Sequence, residues 1–186
     1  MNDPDDWESE HELLHRSGAS LGTGLSEGEL LAAEERCGSR FPPDLRGFLS
    51  AALPLGREFP NWRVLDDPSL ERRLNWPFDG IRFDIEHNSF WRPEWGHRPP
   101  ELSVAIEVAR GFVATAPRLI PICSHRYLPS EPAESGNPVF SVYQTDIIYY
   151  GRDLRSYFAH EFGSLKYVEA TTPEPRHVRF WGDLVS

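Results

Sequence analysis

Cysteine is scarce: Cys37 and Cys123 are the only two in 186 residues, far apart and in no CxxC pattern. That argues against a disulfide framework and against a structural zinc site. Long apolar runs are missing too, and none approaches the roughly 20 residues that cross a bilayer. The opening MNDPDDWESE is acidic and has no apolar core, so no secretory signal is expected there and the expected location is cytoplasmic. Basic residues are in deficit, 19 against 29 acidic, for a net charge of -10. Phosphate backbones are bound through Lys and Arg. Nucleic acid and anionic membrane are therefore poor partners for this chain, whereas a basic protein would be attracted over a distance. A phosphate-cradling GxxxxGK[ST] loop is also absent.

What is present suits one soluble unit. A chain of this length buries roughly 70% of its unfolded surface, enough to fold without metal or disulfide. Aromatics reach 12%, with six Trp, and 17 Pro imply interrupted elements. Asp3-Pro4 reads as the cap and first position of a short helix with Trp7, His11 and Leu14 on one face. The glycine-spaced SGASLGTG (17–24) follows as a linker, so residues 1–24 form a helix and linker and 25–186 the domain.

Ser26 and Glu29 have the spacing of a capping box. A helix carrying Leu30, Ala33, Glu34 and Cys37 follows and stops at Gly38. A second helix starts at Pro42-Pro43 with Leu45, Phe48, Leu49 and Ala52 on one face, ending at Pro54 and Gly56. It lacks the basic character of a DNA-reading helix. Arg63 to Leu65 reads as a short strand and Pro68 to Asn75 as a short helix. Ile81, Phe83 and Ile85 alternate with Arg82, Asp84 and Glu86, the period of a half-buried strand. Leu102 to Val113 is an apolar helix expected to be buried on most sides. Arg118–Ile122, Val139–Tyr143 and Asp146–Tyr150 are strands, the last two a hairpin across Gln144-Thr145. Tyr127 to Asn137 reads as a loop. Leu154, Tyr157, Phe158 and Phe162 mark an amphipathic helix, and His177–Trp181 a terminal strand. The order implies an α+β fold with a mostly antiparallel sheet of about four to six strands flanked by helices.

Chemistry is thinly represented. His87, His97, His125 and His160 lack the spacing of a metal set, so no metal or cofactor is expected. Asp66-Asp67 and the Asp84/Glu86 pair read as solvated carboxylates rather than acid–base dyads. Ser141 and Cys123 have no base nearby in sequence, so no catalytic residue is assigned. The strongest local feature is Trp91, Arg92, Glu94 and Trp95, since Trp and Arg dominate interface energetics. The alternative is that these tryptophans plug the end of the sheet. Stacking of a sugar or base on a Trp face is a weaker option. Tyr149 and Tyr150 point to opposite faces of a strand, one toward the core and one outward. With Asp146, the outward one would make an acidic, aromatic patch for a basic partner.

GLSEGELLAAEERCGSRFPPDLRGFL (24–49) and GNPVFSVYQTDIIYYGRDLRSYFAHEF (136–162) resemble the SMI1/KNR4, or SUKH, superfamily in its bacterial branch. FDIEHNSFWRPEWGHRPP (83–100) resembles a Trp-rich segment of some bacterial members. The chain departs from the family pattern in ALPLGREFP (52–60) and in the long loop before Gly136. The resemblance implies an α+β fold without known enzymatic activity. Many bacterial members look like immunity proteins that bind and neutralise a cognate toxin, often a nuclease, while fungal relatives act as interaction hubs in cell-wall regulation. On that basis the expected function is protein binding, with a basic toxin domain as partner. The alternative is a regulatory module with a small-molecule or glycan pocket at the Trp-rich loop.

Overall fold

A computed structural model describes residues 6–185, so the expected Asp3-Pro4 helix start lies outside the described residues. Helix α1 (Glu8–Arg16) is followed by strand β1 (Ser20–Thr23), and α2 (Glu27–Cys37) by α3 (Pro43–Ala51) and β2 (Ala52–Leu55). Then come α4 (Pro68–His87), α5 (Leu102–Ala114), β3 (Leu119–Cys123) and β4 (Arg126–Pro129). The chain closes with β5 (Val139–Tyr143), β6 (Asp146–Gly151), α6 (Leu154–Glu161) and α7 (Tyr167–Ala170). Strands β3 to β6 form one antiparallel sheet in chain order, and β1 and β2 form a separate antiparallel ribbon. The molecule is thus α+β, with helices on both faces of the larger sheet.

The alternation of strand side chains divides the interior. Ile120, Ile122, Leu128 and Tyr150 pack into one core with Trp7, Leu14, Leu30, Phe48, Leu74 and Phe158. Leu119, Tyr127, Phe140, Val142 and Tyr149 pack into a second with Ile81, Ile85, Ala105, Trp95 and Trp181. Strands β3 and β4 are buried at every position, the condition of a sheet covered on both sides.

Several local signals hold. Ser26 and Glu29 form a reciprocal capping box, and Gly38 closes α2 at φ 78°. The β5–β6 hairpin turns on Gln144-Thr145, with Gln144 at φ 57°, the left-handed conformation that tight two-residue turns demand.

Other expectations are corrected. The segment expected to be linker pairs as β1 with β2, which also begins where α3 was expected to continue. Arg63 to Leu65 is turn rather than strand, and β4 occupies the start of the expected loop at Tyr127. Ile81 to Glu86 belongs to α4, not to a strand: Ile81 and Ile85 are one helical turn apart and both buried, whereas Phe83 is 43% exposed. An alternation three apolar residues long is also compatible with a helix. Asp84 and Glu86 therefore point about 200° apart around the axis. Asp84 is buried while Glu86 is exposed, so the shared solvated face does not exist. Helix α5 buries only Ala105 and Ala109, leaving Leu102, Val104 and Phe112 exposed, contrary to the expected all-round burial. His177–Trp181 makes no strand; the chain instead returns to the sheet through a single parallel bridge between Val185 and Ile147.

A stripe on α4 holds the hairpin. Trp76 Nε1 donates to the Val142 carbonyl at 2.9 Å, and the Asp84 carboxylate accepts from Thr145 N at 2.9 Å and Thr145 Oγ1 at 2.6 Å. Between them, a Cβ on Gly80 would meet Gln144 Cα at 2.6 Å, so the turn approaches α4 where there is no side chain. The spacing 76, 80, 84 is one face of a helix.

Helix α1 is fixed to α6. Arg155 donates to both Glu10 carboxylate oxygens at 2.9 and 3.0 Å and lies 3.9 Å over the Trp7 ring. His11 stacks on Phe48 with centroids 4.7 Å apart, and burial lowers its pKa. The unfolded chain then binds a proton that the folded chain resists. Stability linked to His11 is fully present above its unfolded pKa of about 6.5 and is lost as pH falls from there toward the lowered folded value. Urea midpoints from pH 7.5 to 5 are expected to fall more steeply for the wild type than for His11→Phe, which keeps the stack. Parallel curves would contradict this account.

Candidate functional site

Among the described residues no group of three or more His, Cys, Asp or Glu side chains is arranged to hold a metal, and no helix is long and apolar enough to cross a membrane. The nearest approach to a catalytic pair is Ser124 Oγ and His125 Nδ1, 3.2 Å apart at the β3–β4 turn, where Ser124 sits at φ 48°. A serine nucleophile needs a carboxylate on the far nitrogen to hold the imidazole and stabilise its cation. Here His125 Nε2 meets the Arg126 guanidinium instead, and burial together with that charge lowers its pKa. Ser141 Oγ accepts from Arg126 at 3.0 Å. Burial pushes the Cys123 and Cys37 thiols up to about 11, so both stay protonated near neutrality.

The Trp-rich segment turns inward. Trp95 is 6% exposed, set on the 3-10 turn Pro93–Trp95. Its ring lies near parallel to those of Phe112 and Phe180, with centroids 5.9 and 6.4 Å away and interplanar angles of 19° and 13°. Trp91 meets its edge at 5.2 Å and is half-buried, its Nε1 donating to the Gly96 carbonyl. Arg92 is spent between Glu94 at 3.1 Å and Asp183 at 3.8 Å, with its side chain 13% exposed. Glu94 alone of this group is well exposed. The segment therefore closes the end of the second core, and the Trp95 faces are not free to stack a sugar or base.

Tyr149 and Tyr150 depart from the expectation of one core and one outward residue: both are half-buried, each against a different core. Tyr149 stacks on Phe140 at 5.1 Å, while the Arg126 guanidinium lies 3.7 Å over the Tyr150 ring. Asp146 is exposed at the start of β6. Tyr149 borders the same core as Trp91 and Trp95, and Tyr150 the other.

The structure gathers other residues. A groove of about 490 Å³ is lined by Arg57, Arg72, Arg73, Trp76, His125 and Tyr143. Trp76 is 41% and Tyr143 57% exposed, their rings 6.4 Å apart. Trp76 is held by its bond to Val142, and Arg73 fixes the floor by donating to the Ser124 carbonyl at 3.0 Å and the Arg57 carbonyl at 2.6 Å. Arg36, Arg57, Arg72, Arg73, Arg98 and Arg118 have no carboxylate within ion-pair distance among the described residues. Three of them line this groove. Glu58 is the one carboxylate among the lining residues, against these three arginines. Sequence reading missed the site because the expected helix ended at Asn75; carried one turn further, Arg72 and Trp76 fall at i and i+4 on one face.

No protein family, no curated protein and no solved structure matches this chain.

Proposed function

We propose that this chain is a non-enzymatic, cytoplasmic protein-binding module of SMI1/KNR4 type, acting as an immunity protein that covers a cognate toxin. The observation that supports it most is the groove of Trp76 and Tyr143 among arginines without carboxylate partners. Trp, Tyr and Arg supply most hot spots, because large, pre-positioned side chains gain desolvated area at low entropy cost. Here the ring of Trp76 is already fixed by a hydrogen bond and Arg73 by two, so little freedom remains to lose on docking. The net charge of -10 favours approach of a basic domain at long range, whereas the groove itself, lined by Arg57, Arg72 and Arg73, suits acidic or acceptor groups on the partner's contact surface. Toxin neutralisation rests on the resemblance of segments 24–49 and 136–162.

Co-expression with toxins encoded beside this gene tests it. Rescue of growth by the wild type and a Kd weakened about 30-fold by Trp76→Ala are the expected results, the loss corresponding to a hot spot of about 2 kcal/mol. Absence of rescue by the wild type, or affinity unchanged in a Trp76→Ala/Tyr143→Ala double variant, would sink the assignment.

A further inference from the structure

We propose that a second cleft, on the far side of α4 from the groove, binds a small organic oxyanion, a carboxylate or phosphate carried on an apolar body. The cleft encloses about 570 Å³ between the C-terminal ends of α2 and α5, the start of β3 and the residues after β4. That volume falls within the range of small-molecule sites. This inference is independent of the protein-docking groove, which lies among different residues.

The argument is an account of donors and acceptors. Three acceptors on the wall are taken internally: the Thr115 carbonyl by Arg179, the Pro117 carbonyl by Trp181 Nε1 at 2.7 Å, and the Arg118 carbonyl by Ser130 N at 2.8 Å. The one carboxylate among the lining residues, Glu131, is held by Arg179 at 3.0 Å. The unpaired side-chain groups left over can donate. Ser130 Oγ has no partner although Ser130 is 3% exposed. Arg36 spends its Nε on the Leu65 carbonyl at 2.9 Å and has no carboxylate for its other nitrogens. Arg118 likewise lacks a carboxylate, and its guanidinium lies against the Cys37 thiol. A buried hydroxyl without a bond costs free energy, and two guanidiniums facing one hollow repel unless an anion sits between them. Guanidinium forks match the paired oxygens of carboxylate and phosphate. Leu74, Phe78 and Val113 add apolar surface for the body of such a ligand.

Phenyl phosphate, benzoate, inorganic phosphate and uncharged benzyl alcohol are suitable probes, read by calorimetry and by the indole N–H resonance of Trp181. Saturable binding of at least one aromatic anion is expected, with a shift of the Trp181 resonance and none at Trp76; benzyl alcohol should not bind. Preference for phenyl phosphate over benzoate would assign the anion as phosphate, and the reverse as carboxylate. Arg118 is exposed, so Arg118→Gln should fold normally and bind about tenfold or more weakly, as loss of a charge-assisted bond requires. Ser130→Ala should weaken binding with the stability kept, and Arg72→Gln in the groove should change nothing. No saturable heat at millimolar probe, binding by inorganic phosphate alone without the Trp181 shift, or equal affinity in Arg118→Gln would overturn the proposal.

Discussion

Trp95→Ala is expected to lower the unfolding free energy by about 3–5 kcal/mol, the range for emptying a large buried aromatic site. The indole stacks with Phe112 and Phe180 and meets Phe90 and Trp91 edge-on, so truncation leaves four rings without their partner. The backbone around it is a 3-10 turn closed by Gly96 at φ 78°, which has little freedom to collapse into the hole. Trp76→Ala provides the contrast. That ring is 41% exposed and loses one hydrogen bond, for about 1 kcal/mol. Urea titration of both variants separates a plug from an anchor: equal losses would mean that the assignment of the two tryptophans is mistaken.

Asp84→Ala should cost about 3 kcal/mol. Its carboxylate accepts the Thr145 amide, the Thr145 hydroxyl and Asn88 Nδ2, so deletion leaves the half-buried Thr145 donors without a partner beside an emptied volume. Asp84→Asn keeps the shape and one acceptor and should fall between the two. Thr145 lies in the hairpin turn, so its amide proton should exchange faster in Asp84→Ala than can be explained by the change in global stability. A loss below about 1 kcal/mol would show that the contact is not structural.

These two residues mark where sequence reading stopped. Short-range chemistry was legible: the capping box at Ser26, the left-handed stop at Gly38 and the hairpin at Gln144-Thr145 depend on neighbours within a few positions. Residues 81–86 were not, because three alternating apolar residues fit a strand as well as a helix, and the helix is confirmed only by Gly80 and Asp84 meeting a turn some sixty positions away. The same limit explains α5. Its composition is apolar all round, and nothing local reveals that only the Ala105 and Ala109 face is covered. Strand β1 escaped notice because a four-residue strand with a glycine gains its identity from β2. As for the candidate sites, the inward turn of the Trp-rich segment was anticipated as an alternative. The Trp76 groove and the Arg118 cleft are assembled from segments that no spacing rule connects.

The division of the interior by the central sheet has a consequence for how the molecule comes apart. Leu119 and Ile120 are adjacent in the chain yet serve opposite compartments, as do Tyr127 with Leu128 and Tyr149 with Tyr150. A strand lost from one compartment is lost from the other at the same instant. The helical layers on either side are in this way coupled through a shared wall, and melting of one half without the other would require that wall to stand with one side bare to water. The architecture thus favours a single all-or-none transition over stepwise release of its layers.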